Sequence, residues 1–146
     1  MADLSRDELL AALNELLEAE RAGARVTLHT AHEAPPQSKA LIMNVHRDEA
    51  RWCAVLAKAI RHYRGEPSQV TGAFYDKAVA IADLSERLRF LNRGQSWVVR
   101  KLEALLPAIA EPSIHADLTA MLDSHRANIE LLTTHLSPTE LPPGQP

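Results

Sequence analysis

The chain has 146 residues, the length of one domain and enough to bury a core without staples. Hydrophobic residues make up 46% and aromatics 4%, with Leu and Ala dominant, which favours helix-on-helix packing over a β-sandwich rich in Val, Thr and rings. A net charge of -3 with dispersed Lys and Arg argues against a nucleic-acid partner, and the single Cys53 excludes an internal disulfide or a Cys-based zinc cage.

The opening Met1-Ala2-Asp3-Leu4-Ser5 has no apolar signal core, and no apolar run approaches the ~18 residues of a membrane span. The expected setting is therefore the reducing cytoplasm. Cys53, next to Trp52, Ala54 and Val55, reads as a small buried hydrophobe rather than a reactive thiol.

A first helix is predicted from Ser5, where Ser5 and Glu8 have the spacing of a capping box. Its inward stripe is Leu9, Leu13, Leu16, Gly23 and Thr27, with Glu20 inside it. It must stop near Glu33, because Pro35 and Pro36 follow. A second helix starts at Ser38 and carries Leu41/Ile42, Val45, Glu49, Trp52, Leu56, Ile60 and Tyr63. Gly65 and Pro67 end it.

Residues 65–83 form a connector, with room for a helical turn between Phe74 and Ala82. Extended at ~3.3 Å per residue it reaches ~60 Å, against ~40 Å for the second helix, so it can cross the whole length of a bundle.

The third helix starts at Asp83, capped with Glu86, and carries Leu84, Leu88, Leu91, Gln95, Val98, Leu102 and Leu105 as far as Pro107. Phe90, Gly94 and Trp97 form a second semi-apolar face that calls for cover by the connector or by another subunit. The fourth helix runs from Ser113 to Pro138, with Ile114, Leu118, Met121/Leu122, His125, Ile129, Leu132 and Leu136 inward. The expected architecture is an all-α antiparallel four-helix bundle over residues 1–137. A Pro-rich tail, 138–146, is expected to be disordered.

Each apolar stripe is interrupted once near its middle, by Glu20, Glu49, Gln95 and His125. Glu20 and Glu49 are equally far from the turn at residues 34–35, so antiparallel pairing brings them level. Two facing buried carboxylates are unfavourable unless a cation binds between them, they share a proton, or an Arg or water network satisfies them. A metal-free polar network is the favoured expectation. A bound metal is the alternative, because carboxylates and imidazoles on facing helices hold iron or manganese in bundles. His46, one turn before Glu49, reads either as support for that layer or as surface. His29, His32, His62, His115 and His135 read as surface.

With these features the chain resembles the ferritin-like superfamily of bacterioferritins and rubrerythrins, over roughly residues 5–136. That family's di-iron pattern puts a Glu on the first and third helices and Glu-x-x-His on the second and fourth. Glu20 and Glu49 match it, Trp52 stands at the second-helix His, and Gln95 stands at the third-helix Glu. Two registers exist for the fourth helix. Equal height favours the one with Leu122 and His125 on the motif. An internal echo between His46-Arg47-Asp48-Glu49 and His125-Arg126-Ala127-Asn128 favours the one with Asn128 and Leu131. The stretches from Gly65 to Tyr75 and from Leu91 to Arg100 look like a family of small uncharacterised bacterial ferritin-like domains.

The resemblance implies a ferritin-like protein of unknown activity with a degenerate di-iron centre, a structural or interaction role, a metal-free polar core and a homodimeric state. The alternative is a mononuclear iron, manganese or zinc protein, an oxidase or stress-response protein. Its ligands would be Glu20, Glu49 and His125, with Gln95, Asn128 and His46 as additional candidates. A small-molecule site near Trp52 and Trp97 is a further expectation. Neither a nucleic acid nor a membrane is expected as a partner.

Overall fold

Helix α1, Arg6–Glu33, opens with the expected capping box: the Ser5 hydroxyl accepts the Glu8 N–H and the Glu8 carboxylate accepts the Ser5 N–H. These assignments come from a computed structural model that describes residues 4–136. The tail 138–146, expected to be disordered, lies outside the described residues. α1 ends at Ala34, which takes the extended conformation that a following proline imposes.

Helix α2, Pro36–His62, starts two residues before the predicted Ser38. Proline suits a first helical position, where its missing N–H has no intrahelical partner anyway. Ser38 is instead buried in the first turn, within 3.2 Å of His135 Nε2. The exit of α2 also differs from expectation. The N–H groups of Arg64 and Gly65 return to the Arg61 and Ile60 carbonyls, and Arg64, not Gly65, takes the left-handed conformation at φ 65°. Gly65 is small for another reason: a Cβ there would lie 2.5 Å from Leu10.

The crossover climbs one polar edge of α1. Asn14 pairs with the Glu66 carbonyl and the Ser68 N–H, Glu18 accepts from the Ser68 hydroxyl, and Arg21 donates to the Val70 carbonyl. The spacing of these residues puts them on one face of α1. The path ends in the short helix α3, Phe74–Val79, which lies on α1 and α4. Phe74 stacks on Phe90 with ring centroids 4.9 Å apart, and a Cβ on Gly94 would meet the Phe74 ring at 2.9 Å. The connector therefore covers Phe90 and Gly94 and leaves Trp97 at 38% exposure.

Helix α4, Leu84–Leu105, is capped by Asp83, whose carboxylate accepts the Glu86 N–H at 2.9 Å. Glu86 does not return the bond; its carboxylate pairs with Arg89. A 3-10 turn at Leu106–Ala108 follows. Helix α5, Pro112–Leu136, is capped by Glu111, which accepts the N–H groups of Ser113 and Ile114, so the helix starts one residue earlier than the Ser113 expected. Arg87, which sequence periodicity does not single out, is buried. It donates to the Ile81 carbonyl, to the Thr30 hydroxyl and to Glu33, tying the end of the crossover to α1.

α1 pairs with α2 and α4 with α5; α1 also packs on α4, and α2 on α5. The described residues contain helices and no strand. The core falls into two apolar clusters. One holds Leu13, Leu16, Leu17, Trp52, Leu56, Leu102 and Leu118; the other holds Val26, Ile42, Val45, Leu88, Leu91 and Leu132. At ~1.5–3 kcal/mol for each fully buried side chain of this size, such burial carries most of the folding free energy. Along each long helix, the polar residue at mid-length sits between its contributions to the two clusters.

Candidate metal centre

Glu20 on α1, Glu49 on α2, Gln95 on α4 and His125 on α5 are 1%, 3%, 2% and 0% exposed. One ligand atom from each of Glu20, Glu49 and His125 lies within 4.8 Å of the others. The two carboxylates thus meet inside the bundle, as equal distance from the α1–α2 turn requires.

The His125 tautomer follows from its partners. Nδ1 lies 3.0 Å from the Met121 carbonyl, which only accepts, so Nδ1 carries hydrogen. In the neutral ring Nε2 then offers a lone pair, and it faces Glu20 Oε2 at 2.8 Å. Two bare lone pairs at that distance repel, so the contact needs either a proton between the two groups or a cation beside them. A ring N–H donated to a backbone carbonyl is also the usual way in which a ligating histidine is oriented.

Gly23, one turn beyond Glu20, leaves room for Glu49. A Cβ there would come 2.6 Å from Oε2 and 2.9 Å from Oε1 of that carboxylate. Gly23 reads from the sequence as one more small stripe residue. Its signal is its cost, about 1 kcal/mol against Ala in a helix interior, which calls for a packing reason.

Three buried oxygens in this layer have no hydrogen-bond donor: Glu20 Oε1, Glu49 Oε1 and Gln95 Oε1. The Gln95 amide is oriented by its neighbours. The Asn92 amide nitrogen donates to the Ile129 carbonyl, which turns Asn92 Oδ1 toward Gln95, and Oδ1 takes the Gln95 NH₂ at 3.2 Å. The Gln95 carbonyl oxygen is left as a bare acceptor. Burial above all, then the charges of Glu20 and Asp48, push the Glu49 pKa well above the usual carboxylate range, against the pull of the Thr27 hydroxyl. Burial pushes the His125 pKa down, but the Glu20 carboxylate and the Met121 carbonyl outweigh it and the net direction is up. Cys53, expected to be buried, is half-buried; burial, reinforced by Glu20, pushes its thiol up to about 12, which disfavours the thiolate.

The additional ligand candidates separate. Asn128 is buried but donates to Asp48 Oδ2 at 3.1 Å, on the α2–α5 seam rather than in the layer. His46 is half-buried and its Nδ1 lies 2.8 Å from the Ala24 carbonyl and 3.3 Å from the Thr27 hydroxyl, beside the layer and outside the ligand cluster. Trp52 is buried in the apolar cluster next to the layer, with Nε1 donating to Ser124. His32, His62 and His115 are exposed as expected. His29 is half-buried against Tyr75 and Glu33, and His135 is half-buried against Ser38.

A cavity of about 270 Å³ reaches the layer. Glu20, Glu49 and Gln95 form its polar wall, and Phe74, Leu91, Gly94, Trp97 and Val98 are among its apolar ones. Trp97 lines this space; Trp52, expected beside it, does not. Two carboxylates and one imidazole suit a single iron, manganese or zinc ion, and the orphaned oxygens fit a cation. Among the described residues the ligand cluster holds two carboxylates and one imidazole, enough for one ion; Trp52, Gln95 and Leu122 add neither a carboxylate nor an imidazole to it.

The family described as Domain of unknown function (DUF6306) matches residues 7–134. A solved structure described as ferritin like, diiron-carboxylate proteins from Bacillus anthracis str. Ames superposes with a TM-score of 0.81 at 20% identity. The match covers 91% of this chain and 99% of that one. At that identity the likeness shows the fold, which is ferritin-like. No curated protein matches the chain.

Proposed function

This chain belongs to the DUF6306 family, a domain of unknown function, and from that premise we propose that its polar layer holds one divalent transition-metal ion between Glu20, Glu49 and His125. The observation that carries this reading is the set of three buried oxygens without donors beside an imidazole whose other nitrogen is committed to a carbonyl. Leaving a buried polar group unsatisfied costs roughly 1–3 kcal/mol, and more when it is charged, and a cation between the two carboxylates would offset that cost.

The chain's own residues do the holding. Glu20 and Glu49 supply negative charge, Gly23 gives the Glu49 carboxylate its space, and the Met121 carbonyl fixes the His125 ring. The apolar clusters flank the layer on either side. The structural neighbour is described as a diiron-carboxylate protein; here the donors suffice for one ion. A bound iron or manganese ion would supply redox chemistry, and zinc Lewis acidity. An oxidase or stress-response role is the finer form of this proposal and depends on which ion binds.

A metal-free core is the second reading, favoured by the 2.8 Å contact of His125 with Glu20, which is a closed ion pair when the ring is charged. In that reading a shared proton, or water in the adjoining cavity, would meet the orphaned oxygens.

Metal analysis of protein purified without chelator, then loaded with Fe(II), Mn(II) or Zn(II), separates the two. About one equivalent is expected, lost in Glu49→Gln and in His125→Ala. Less than about 0.1 equivalent with every ion would end the proposal.

A further inference from the structure

The cavity beside the layer has a polarity that the ion does not explain. Its volume is about 270 Å³. An apolar cavity of about 150 Å³ admits benzene, and pockets for drug-sized ligands begin near 300 Å³. The space therefore suits one ring or a short chain with a few further atoms. Phe74, Trp97 and Leu91 supply apolar wall, and Trp97 also meets solvent. Gly94 lets the Phe74 ring down to 2.9 Å from where its Cβ would be, so α3 closes one side.

Three oxygens of the polar residues lining this space, Glu20 Oε1, Glu49 Oε1 and Gln95 Oε1, are buried and lack donors. Gln95 differs from the carboxylates in being neutral and in being turned by Asn92 so that its oxygen, not its NH₂, is free. The Gln95 oxygen rewards a donor and penalises an anion, because an unmatched acceptor–acceptor contact at a buried atom is costly in both partners.

We propose that this cavity binds a small, mostly apolar molecule carrying one O–H or N–H donor, that the Gln95 carbonyl oxygen accepts that donor, and that the wall rejects anions of the same size. The site adjoins the ion proposed above but does not need it, so it is tested on the full chain stripped of metal.

Calorimetric titration with three probes of one ring each makes the test: phenol, toluene and benzoate. Saturable phenol binding is expected, roughly tenfold tighter than toluene, with no binding of benzoate. Gln95→Leu should remove the advantage of phenol while keeping toluene. Ala19→Leu, which fills the cavity from α1, should remove both ligands; if that variant does not fold, the probe ranking on the unmutated chain and Gln95→Leu decide alone. No saturable phenol binding, equal binding of phenol and toluene, or benzoate binding as well as phenol would overturn the proposal. Metal uptake with no phenol site refutes this inference and leaves the ion; a phenol site with no metal uptake does the reverse.

Discussion

Gly23 and Glu49 compete for one volume: a Cβ on Gly23 would stand 2.6 Å from Glu49 Oε2 and 2.8 Å from Cδ. The atom displaced is the end of a side chain and not backbone, so Gly23→Ala should fold. In the metal-free chain the substitution should be neutral or stabilising by up to about 1 kcal/mol, the helix propensity gain of Ala over Gly. Metal affinity should fall by about 10–100-fold, the usual effect of disturbing a ligand's support. Urea unfolding and metal titration measured on the same preparation check this. Equal metal affinity in both proteins would show that the Glu49 carboxylate has no part in binding.

The pH dependence of the metal-free chain follows from Glu49 and His125. A carboxyl whose pKa is raised on folding is held protonated by the folded state. Its contribution is full below the ordinary carboxylate value of 4.5 and fades as pH rises through the raised value. His125 acts in the same direction, contributing below its ordinary 6.5 and losing that contribution as pH climbs through its raised value. The metal-free protein should therefore lose stability from mildly acidic toward alkaline pH. Glu49→Gln should flatten that slope and raise Tm at pH 8, since it removes the charge and adds a donor to a layer of bare acceptors. Thermal melts between pH 5 and pH 9 test it. A Glu49→Gln variant less stable than the parent at pH 8 would contradict the account.

Arg87 holds the end of the crossover through the Ile81 carbonyl, the Thr30 hydroxyl and Glu33. Its side chain is 5% exposed, whereas that of Glu33 is 55% exposed, so the stability at stake lies in the buried neutral acceptors more than in the ion pair. Arg87→Met should cost on the order of 2–3 kcal/mol in urea unfolding, with hydrogen exchange accelerated in α3. A loss below about 0.5 kcal/mol, the range of an ordinary surface change, would show that the end of the crossover does not depend on Arg87.

The four helices were legible because each apolar stripe is long and ends at proline or glycine. Glu20, Glu49, Gln95 and His125 were legible because each breaks such a stripe at mid-length. The choice between His125 and Asn128 was not, since both are buried on α5 and only their partners on other helices, Glu20 and Asp48, separate them. The start of α5 was not legible, because Glu111, two residues before the expected Ser113, supplies the cap. The role of Gly23 depends on an atom 26 residues away in sequence, and one-dimensional periodicity holds no trace of such a pairing.

Anomalous-diffraction data collected at the metal edge, on crystals grown after loading with Fe(II), Mn(II) or Zn(II), bear most directly on the polar layer. A single peak bonded to Glu20, Glu49 and His125 is the expected result. A layer with no anomalous peak, its oxygens bridged by water or by a shared proton, would contradict it.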